Sequence, residues 1–261
     1  MKGIILAGGS GTRLRPLTNV ISKQLLPVYN KPMIYYPLST LMLMGIREVL
    51  LISDARNLPL FQELLGDGEE LGIHLNYLIQ DQPNGIAEAL IIAESFLDNS
   101  SCALVLGDNL LYGPGLGRDL INKVASVGAT VLAHHVPNPS EFGIVTFDEF
   151  DNAIDIIEKP LNSKSNWAIP GLYFYDSEVS KKARLIAKSS RGELEISSLN
   201  KLYLSEGKLK VLKLSRGSAW LDMGNPKLLL EAGNFIQIVE ERQGLEVGNP
   251  FHVAAVMGYI S

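Results

Sequence analysis

The chain has 261 residues, 46% hydrophobic and 20% charged, with 23 Lys and Arg against 28 Asp and Glu for a formal charge of -5. That length suits one or two domains with a substantial core, and the acidic balance excludes the basic footprint of a nucleic-acid binder. The single cysteine, Cys102, excludes an intrachain disulfide framework, and no apolar run approaches the roughly 18 residues that span a bilayer.

The first apolar run begins almost at Met1 and leaves no room for a secretory leader, so a cytoplasmic location is expected. GIILA (3–7), EVLLIS (48–53), LNYLIQ (75–80) and CALVLGD (102–108) read as strands. Between them, 32–45 reads as a helix with Pro32 in its first turn and Gly45 at its C-terminal cap. LPLFQELLGDG (58–68) and GIAEALIIAESFL (85–97) have apolar residues at helical spacing. Strands that are apolar throughout, alternating with helices, predict a doubly wound α/β fold around a mostly parallel sheet. Beyond about residue 130, ATVLAHHV, FGIVTFD, AIDIIEKP and IPGLYFYD are strand-like with little helix between them. Helical patterning returns in 193–207 and 226–244. No repeat or linker interrupts the chain, so a single domain over 1–261 with a small β-rich elaboration is expected.

The turn after the first strand, LAGGSGTR, is where backbone N–H groups of such a fold converge on phosphate, with a helix N-terminus expected behind it. It is not a dinucleotide fingerprint: Gly9 and Gly11 fit, but Leu14 takes the third glycine position and no acidic residue stands about twenty residues on. It is not a P-loop, because Thr12 and Arg13 follow Gly11. Arg13 closes the turn and Lys23 follows. Arg grips phosphate oxygens bidentately and Lys acts as a point charge, so the pair suits a triphosphate. Asp108 ends an apolar strand, where a carboxylate faces the ligand crevice of an open sheet and suits Mg²⁺. The four histidines do not cluster, and His134 and His135 point to opposite faces of one strand. None is assigned to catalysis or metal binding.

LAGGSGTRLRPLT…SKQLLPV resembles the signature of the sugar-phosphate nucleotidylyltransferases. KPMIYYPLSTLMLMGIREVLLIS, VLGDN, EKP, KSNWAIPGLYFYD, RGELEI and AWLDMG resemble the glucose-1-phosphate thymidylyltransferases within that family, in order from residue 2 to about 258. The resemblance implies Mg²⁺-dependent transfer from dTTP to α-D-glucose 1-phosphate, giving dTDP-glucose and pyrophosphate. It also implies a homotetramer whose product feeds deoxysugars such as dTDP-rhamnose. Residues 1–130 become mainly the nucleotide half and 131–261 mainly the sugar and assembly half. Leu6, Gly8, Gly9, Ser10, Gly11, Thr12, Arg13, Lys23, Gln24, Gln80, Pro83, Gly85 and Asp108 are then nucleotide-side, with Gln80 reading the base edge. Asn109, Gly143, Glu158, Lys159, Gly171, Arg191 and Glu193 are sugar-phosphate-side. Arg13, Lys23, Asp108 and Lys159 carry the chemistry, and Asp222 joins Asp108 as metal ligand. Thymine and uracil share the edge that Gln80 reads, so UTP or another sugar 1-phosphate stays open. A catalytically weak nucleotide-binding paralogue also stays open, because Phe142, Pro170, Ser198, Met223, Asn225 and Pro226 depart from the family's pattern.

Overall fold

The computed structural model describes residues 1–9 and 11–260. In chain order its strands are β1 (Lys2–Leu6), β2 (Pro27–Val28), β3 (Lys31–Pro32), β4 (Glu48–Ser53), β5 (His74–Ile79), β6 (Cys102–Leu106), β7 (Asn109–Tyr112), β8 (Ala129–His135), β9 (Gly143–Phe147), β10 (Ala153–Glu158), β11 (Trp167–Ala168), β12 (Leu172–Tyr175), β13 (Leu209–Lys213) and β14 (Ala219–Asp222). Its α-helices are α1 (Tyr35–Leu43), α2 (Leu58–Leu65), α3 (Glu88–Ile92), α4 (Glu94–Leu97), α5 (Arg118–Ile121), α6 (Val179–Ala183), α7 (Ile196–Ser205), α8 (Pro226–Gln243) and α9 (Pro250–Val256). The chain forms two compact units. One holds Lys2–Gln82, Val105–Asn122 and the chain from Gly217 on; the other holds Met1, Pro83–Leu104 and Lys123–Arg216.

The first unit contains the glycine turn. Its strands run in the order β6-β1-β4-β5, with β1 parallel to β4 and β4 parallel to β5. Ile4, Ile5 and Val49 through Ile52 have no exposed surface, as continuous apolar strands covered on both faces require. Helix α1 begins at Tyr35 rather than at the expected Pro32, which lies in β3 opposite Pro27. Pro37 occupies its first turn instead, where a missing N–H leaves no bond unmade. Gly45, at φ +84°, closes the helix as expected. An antiparallel pair, β7 with β14, sets Asn109 opposite Asp222. Val28, Met33, Tyr36, Leu110, Met223, Ala232 and Ile236 form a buried cluster beneath α8.

The second unit is the β-rich one. Its strands run β10-β9-β11-β8-β12-β6. The β10–β9, β9–β11, β11–β8 and β8–β12 pairings are antiparallel, and β13 adds to β8 in parallel. The predicted 85–97 helix forms as two short pieces, α3 and α4. Cys102 is buried in β6, and burial, with Asp176 nearby, pushes its thiol up to about 12. It is an inert core group. The α/β fold expected from the alternation of elements is the fold the chain adopts. No described helix is long and apolar enough to cross a membrane.

Candidate active site

In the first unit the strand ends and the glycine turn are tied together by the backbone. Ala7 N–H donates to Ile52 C=O, Gly107 N–H to Leu6 C=O and Gln80 N–H to Ser53 C=O, at 2.8, 2.9 and 2.8 Å. Leu6 is buried as the last residue of β1. Gly9 and Gly11 sit at φ +102° and +57°, the left-handed region that favours glycine. The Thr18 hydroxyl donates to Gly11 C=O at 2.7 Å and pins the turn's far side. A Cβ on Gly8 would lie 3.2 Å from the Gln80 side-chain oxygen, so the buried Gln80 amide lies against the turn. Gln24, 1% exposed, donates to Gly8 C=O at 3.3 Å. Ser10 lies outside the described residues. The turn runs into a single 3-10 turn, Thr12–Leu14, and not into the α-helix expected there: Gly11 at its N-cap offers no side chain to cap it, and Pro16 cannot continue a helix. Any phosphate must rely on the turn's own N–H groups and on cations.

Lys23 supplies one cation. Its ammonium donates to Oδ2 of Asp108, while Asn109 Nδ2 donates to Oδ1 at 3.1 Å. Burial raises the Asp108 pKa, but the Lys23 charge and these bonds outweigh it and hold the carboxyl below the usual range. Asn109 is buried too, and its Oδ1 accepts from Trp220 Nε1 at 2.6 Å. Trp220 thus reaches Asp108 through one carboxamide. Met223 N–H donates to Asp108 C=O at 3.0 Å, which brings the end of β14 alongside. A Cβ on Gly224 would lie 2.8 Å from Arg13 Nη2 and 3.2 Å from Asp222 Oδ1. Glycine at 224 therefore lets the Arg13 guanidinium and the Asp222 carboxylate share that corner.

In the second unit Gly143 pairs with Glu158 across β9 and β10, and a Cβ at 143 would lie 3.3 Å from Glu158 Oε2. Lys159 follows at φ +44°, an unusual conformation for a residue with a side chain. It is held by its N–H donating to Phe142 C=O at 3.0 Å, and its Nζ stands 3.8 Å from Glu158 Oε1. Arg191 Nη2 lies 3.5 Å from Glu158, 4.0 Å from Glu193 and 2.9 Å from Glu195. The predicted sugar-phosphate residues Glu158, Lys159, Arg191 and Glu193 are therefore one cluster of alternating charge. Gly171 is buried after Pro170 and before β12. Pro83 is exposed. Gly85, at φ +108°, meets the backbone of Leu194 so closely that a Cβ would lie 2.6 Å from its nitrogen. Leu194 N–H donates to Asn84 C=O at 2.6 Å and Ala87 N–H to Leu194 C=O at 3.1 Å. Gly85 thus anchors the segment that carries Arg191 and Glu193.

Sequence reasoning missed Glu195 and Trp220. Glu195 stands four residues after Arg191, a spacing that pairs charges, whereas nothing in AWLDMG announces the bond from Trp220 to Asn109. Three of the departures have structural explanations. Met223 is wholly buried in the cluster under α8. Asn225 caps α8 through Leu228 N–H, with Pro226 at its first position. Nothing in the structure explains Phe142, Pro170 or Ser198.

A glycine turn flanked by the half-buried Lys23 and the exposed Arg13, with carboxylates at adjoining strand ends, is equipment for handling nucleoside phosphates. Residues 2–238 match the Nucleotidyl transferase family, and the chain belongs to that family; it is a nucleotidyltransferase. The glucose-1-phosphate thymidylyltransferase of Mycobacterium tuberculosis (strain ATCC 25618 / H37Rv) is 53% identical over 260 residues, spanning 100% of this chain and 90% of the relative. The enzyme of the same name from Neisseria gonorrhoeae is 50% identical over 262 residues, spanning 100% and 91%. A crystal structure of a Bacillus anthracis protein put forward as a glucose-1-phosphate thymidylyltransferase, in complex with sucrose, superposes with a TM-score of 0.86 at 36% identity over 96% of this chain and 98% of that one. A UDP-glucose pyrophosphorylase complexed with UDP-glucose gives a TM-score of 0.79 at 20% identity, a likeness of fold alone.

Proposed function

We propose that the chain transfers a thymidylyl group from dTTP to α-D-glucose 1-phosphate, giving dTDP-glucose and pyrophosphate. The observation that carries this reading is identity of 50–53% with enzymes of that name across the whole chain. A phosphate oxygen of the sugar attacks the α-phosphorus, a P–O bond forms, the α–β P–O bond breaks and pyrophosphate leaves. The nucleophile is already an anion, so no general base is required, and catalysis is positioning and charge neutralisation. In this reading the glycine turn, Arg13 and Lys23 bind the triphosphate. Gln80, with Gln24 bracing the turn, reads the base. Lys159 and Arg191 hold the sugar phosphate, while Glu158 and Glu193 take hydroxyls.

Mg²⁺ is part of the proposal. Asp108 is kept ionised by Lys23, and the β7–β14 pairing sets Asp222 opposite Asn109, the residue after Asp108. Two carboxylates so placed are a donor set that fits a hard cation which also keeps waters and phosphate oxygens. Bound there, Mg²⁺ would neutralise charge on the transferring phosphate. The family resemblance further supports a cytoplasmic homotetramer with a product used for deoxysugars such as dTDP-rhamnose.

The test is pyrophosphate release with Mg²⁺ and glucose 1-phosphate, comparing dTTP, UTP and a control without sugar. Sugar-dependent release with dTTP preferred or equal is the expected result. No release from any pair, with dTTP still raising thermal stability as a ligand of the folded state must, would overturn it in favour of a binding paralogue.

A further inference from the structure

Arg191 lies on an irregular segment between α6 and α7, with its side chain 43% exposed. A long exposed side chain samples many rotamers, and holding it in one costs rotamer entropy. Three carboxylates stand within reach of its guanidinium. Glu158 and Glu193 are 26% and 39% exposed, but Glu195 is only 10% exposed. Glu195 is also the group best fixed in place. Its carbonyl accepts from Ser198 N–H at 3.1 Å at the start of α7, and its Oε1 accepts from the Ser189 hydroxyl at 2.7 Å. The same oxygen accepts from Arg191 Nε at 3.2 Å and from Nη2 at 2.9 Å. Both bonds fall on one edge of the guanidinium, so the Nη1 end of the fork is directed away from Glu195.

We propose that Glu195 is a positioning residue that presents the Nη1 end of Arg191 to the phosphate of the sugar 1-phosphate. The inference rests on the phosphate-binding role of Arg191 in the proposed function. A buried carboxylate needs partners, and here the partners are Ser189 and the arginine it aims. Glu195 touches no substrate; it acts through Arg191, whose bidentate grip depends on the plane of the fork.

Glu195→Gln keeps the side-chain volume and an acceptor oxygen but removes the charge, while Glu195→Asp keeps the charge on a shorter stem. The expected result for E195Q is a KM for glucose 1-phosphate raised about tenfold, the size of one lost charge-assisted hydrogen bond. Both kcat and the KM for dTTP should stay within about twofold, and E195D should recover part of the loss. In an Arg191→Ala background, E195Q should add nothing further. An unchanged KM for glucose 1-phosphate in E195Q, or an effect that persists in full without Arg191, overturns the assignment. If the wild type turns over no sugar phosphate, the proposed function falls, and crystal structures of wild type and E195Q decide the positioning role. Arg191 displaced only in the variant supports it, and Arg191 in one place in both overturns it.

Discussion

The Lys23 ammonium donates to Oδ2 of Asp108, joining segments 85 residues apart in the chain, and the two side chains are only 15% and 12% exposed. The pair sets how Asp108 responds to acid. Burial alone raises its pKa, and Lys23 reverses the direction. A folded pKa below the unfolded value of about 3.9 gives stability that is complete above that pH and lost as pH falls through the depressed value. Lys23→Met leaves burial opposed only by the hydrogen bonds to the Asp108 carboxyl, so the folded pKa rises relative to wild type. The stability that the ionised carboxylate gives the wild type above the unfolded pKa is then reduced or lost in the variant. The variant should be less stable than wild type at pH about 7, with the deficit shrinking toward about pH 4. Thermal melts of both proteins across that range check this, and a deficit independent of pH would show that Lys23 does not control Asp108.

Glycines in and near the site do different jobs. Gly9 has positive φ but no atom within 4 Å of a Cβ, whereas Gly85 has positive φ and the Leu194 backbone in the way. Gly9→Ala therefore costs only backbone strain, about 1 kcal/mol. Gly85→Ala adds a clash with backbone that is itself hydrogen-bonded on both sides, and should cost at least about twice as much. Because Leu194 lies within the Arg191–Glu195 segment, G85A should also weaken sugar-phosphate binding. Equal melting temperatures for the two variants would contradict this reading.

Much of the first unit was legible because β1, β4 and β6 carry continuous apolar runs bounded by turn residues, and the glycine turn with Arg13 stood out against both other phosphate-loop patterns. The pieces that escaped are those whose meaning lies in a distant partner. NLLY and AWLD are each four residues long, too short for a period, and become strands only because they pair with each other. Pro32 and Pro37 both suit a helix start, and the pairing of Pro32 with Pro27 decides between them. Nothing around Asn109 in the sequence announces that its carboxamide bonds both Trp220 and Asp108. For Gly85, whose place in the sequence points to the nucleotide side, only the folded chain places Leu194 against it.

Lys159 combines the charge proposed to hold the sugar phosphate with a strained backbone, at φ +44°. Replacing it separates the two. Lys159→Ala and Lys159→Gly both delete the ammonium, so both should raise the KM for glucose 1-phosphate to the same extent. Only glycine adopts this conformation freely, so the Gly variant should be more stable than the Ala variant by about 1 kcal/mol. Denaturant unfolding of the two proteins measures this difference. An Ala variant as stable as the Gly variant would mean that the backbone at 159 relaxes once the lysine is gone.

Met223 departs from the pattern of the family that the sequence resembles, beside the metal-ligand candidate Asp222, and so bears on whether the chain is a full enzyme. Its side chain is completely buried among Val28, Met33, Tyr36, Leu110, Ala232 and Ile236. Its contribution to the site is its backbone N–H, which donates to Asp108 C=O and is the same for any residue but proline. Met223→Thr would leave a cavity and bury a hydroxyl among apolar side chains, a loss of about 3 kcal/mol. For a chain of this size that corresponds to a melting temperature lower by roughly 6–12 °C. Activity per folded molecule should be unchanged, with kcat/KM for glucose 1-phosphate within about twofold of wild type, since no side-chain atom at 223 replaces a charge in the site. A stable M223T with a clearly higher kcat/KM would instead mean that the departure blunts catalysis, and would favour the weakly active paralogue.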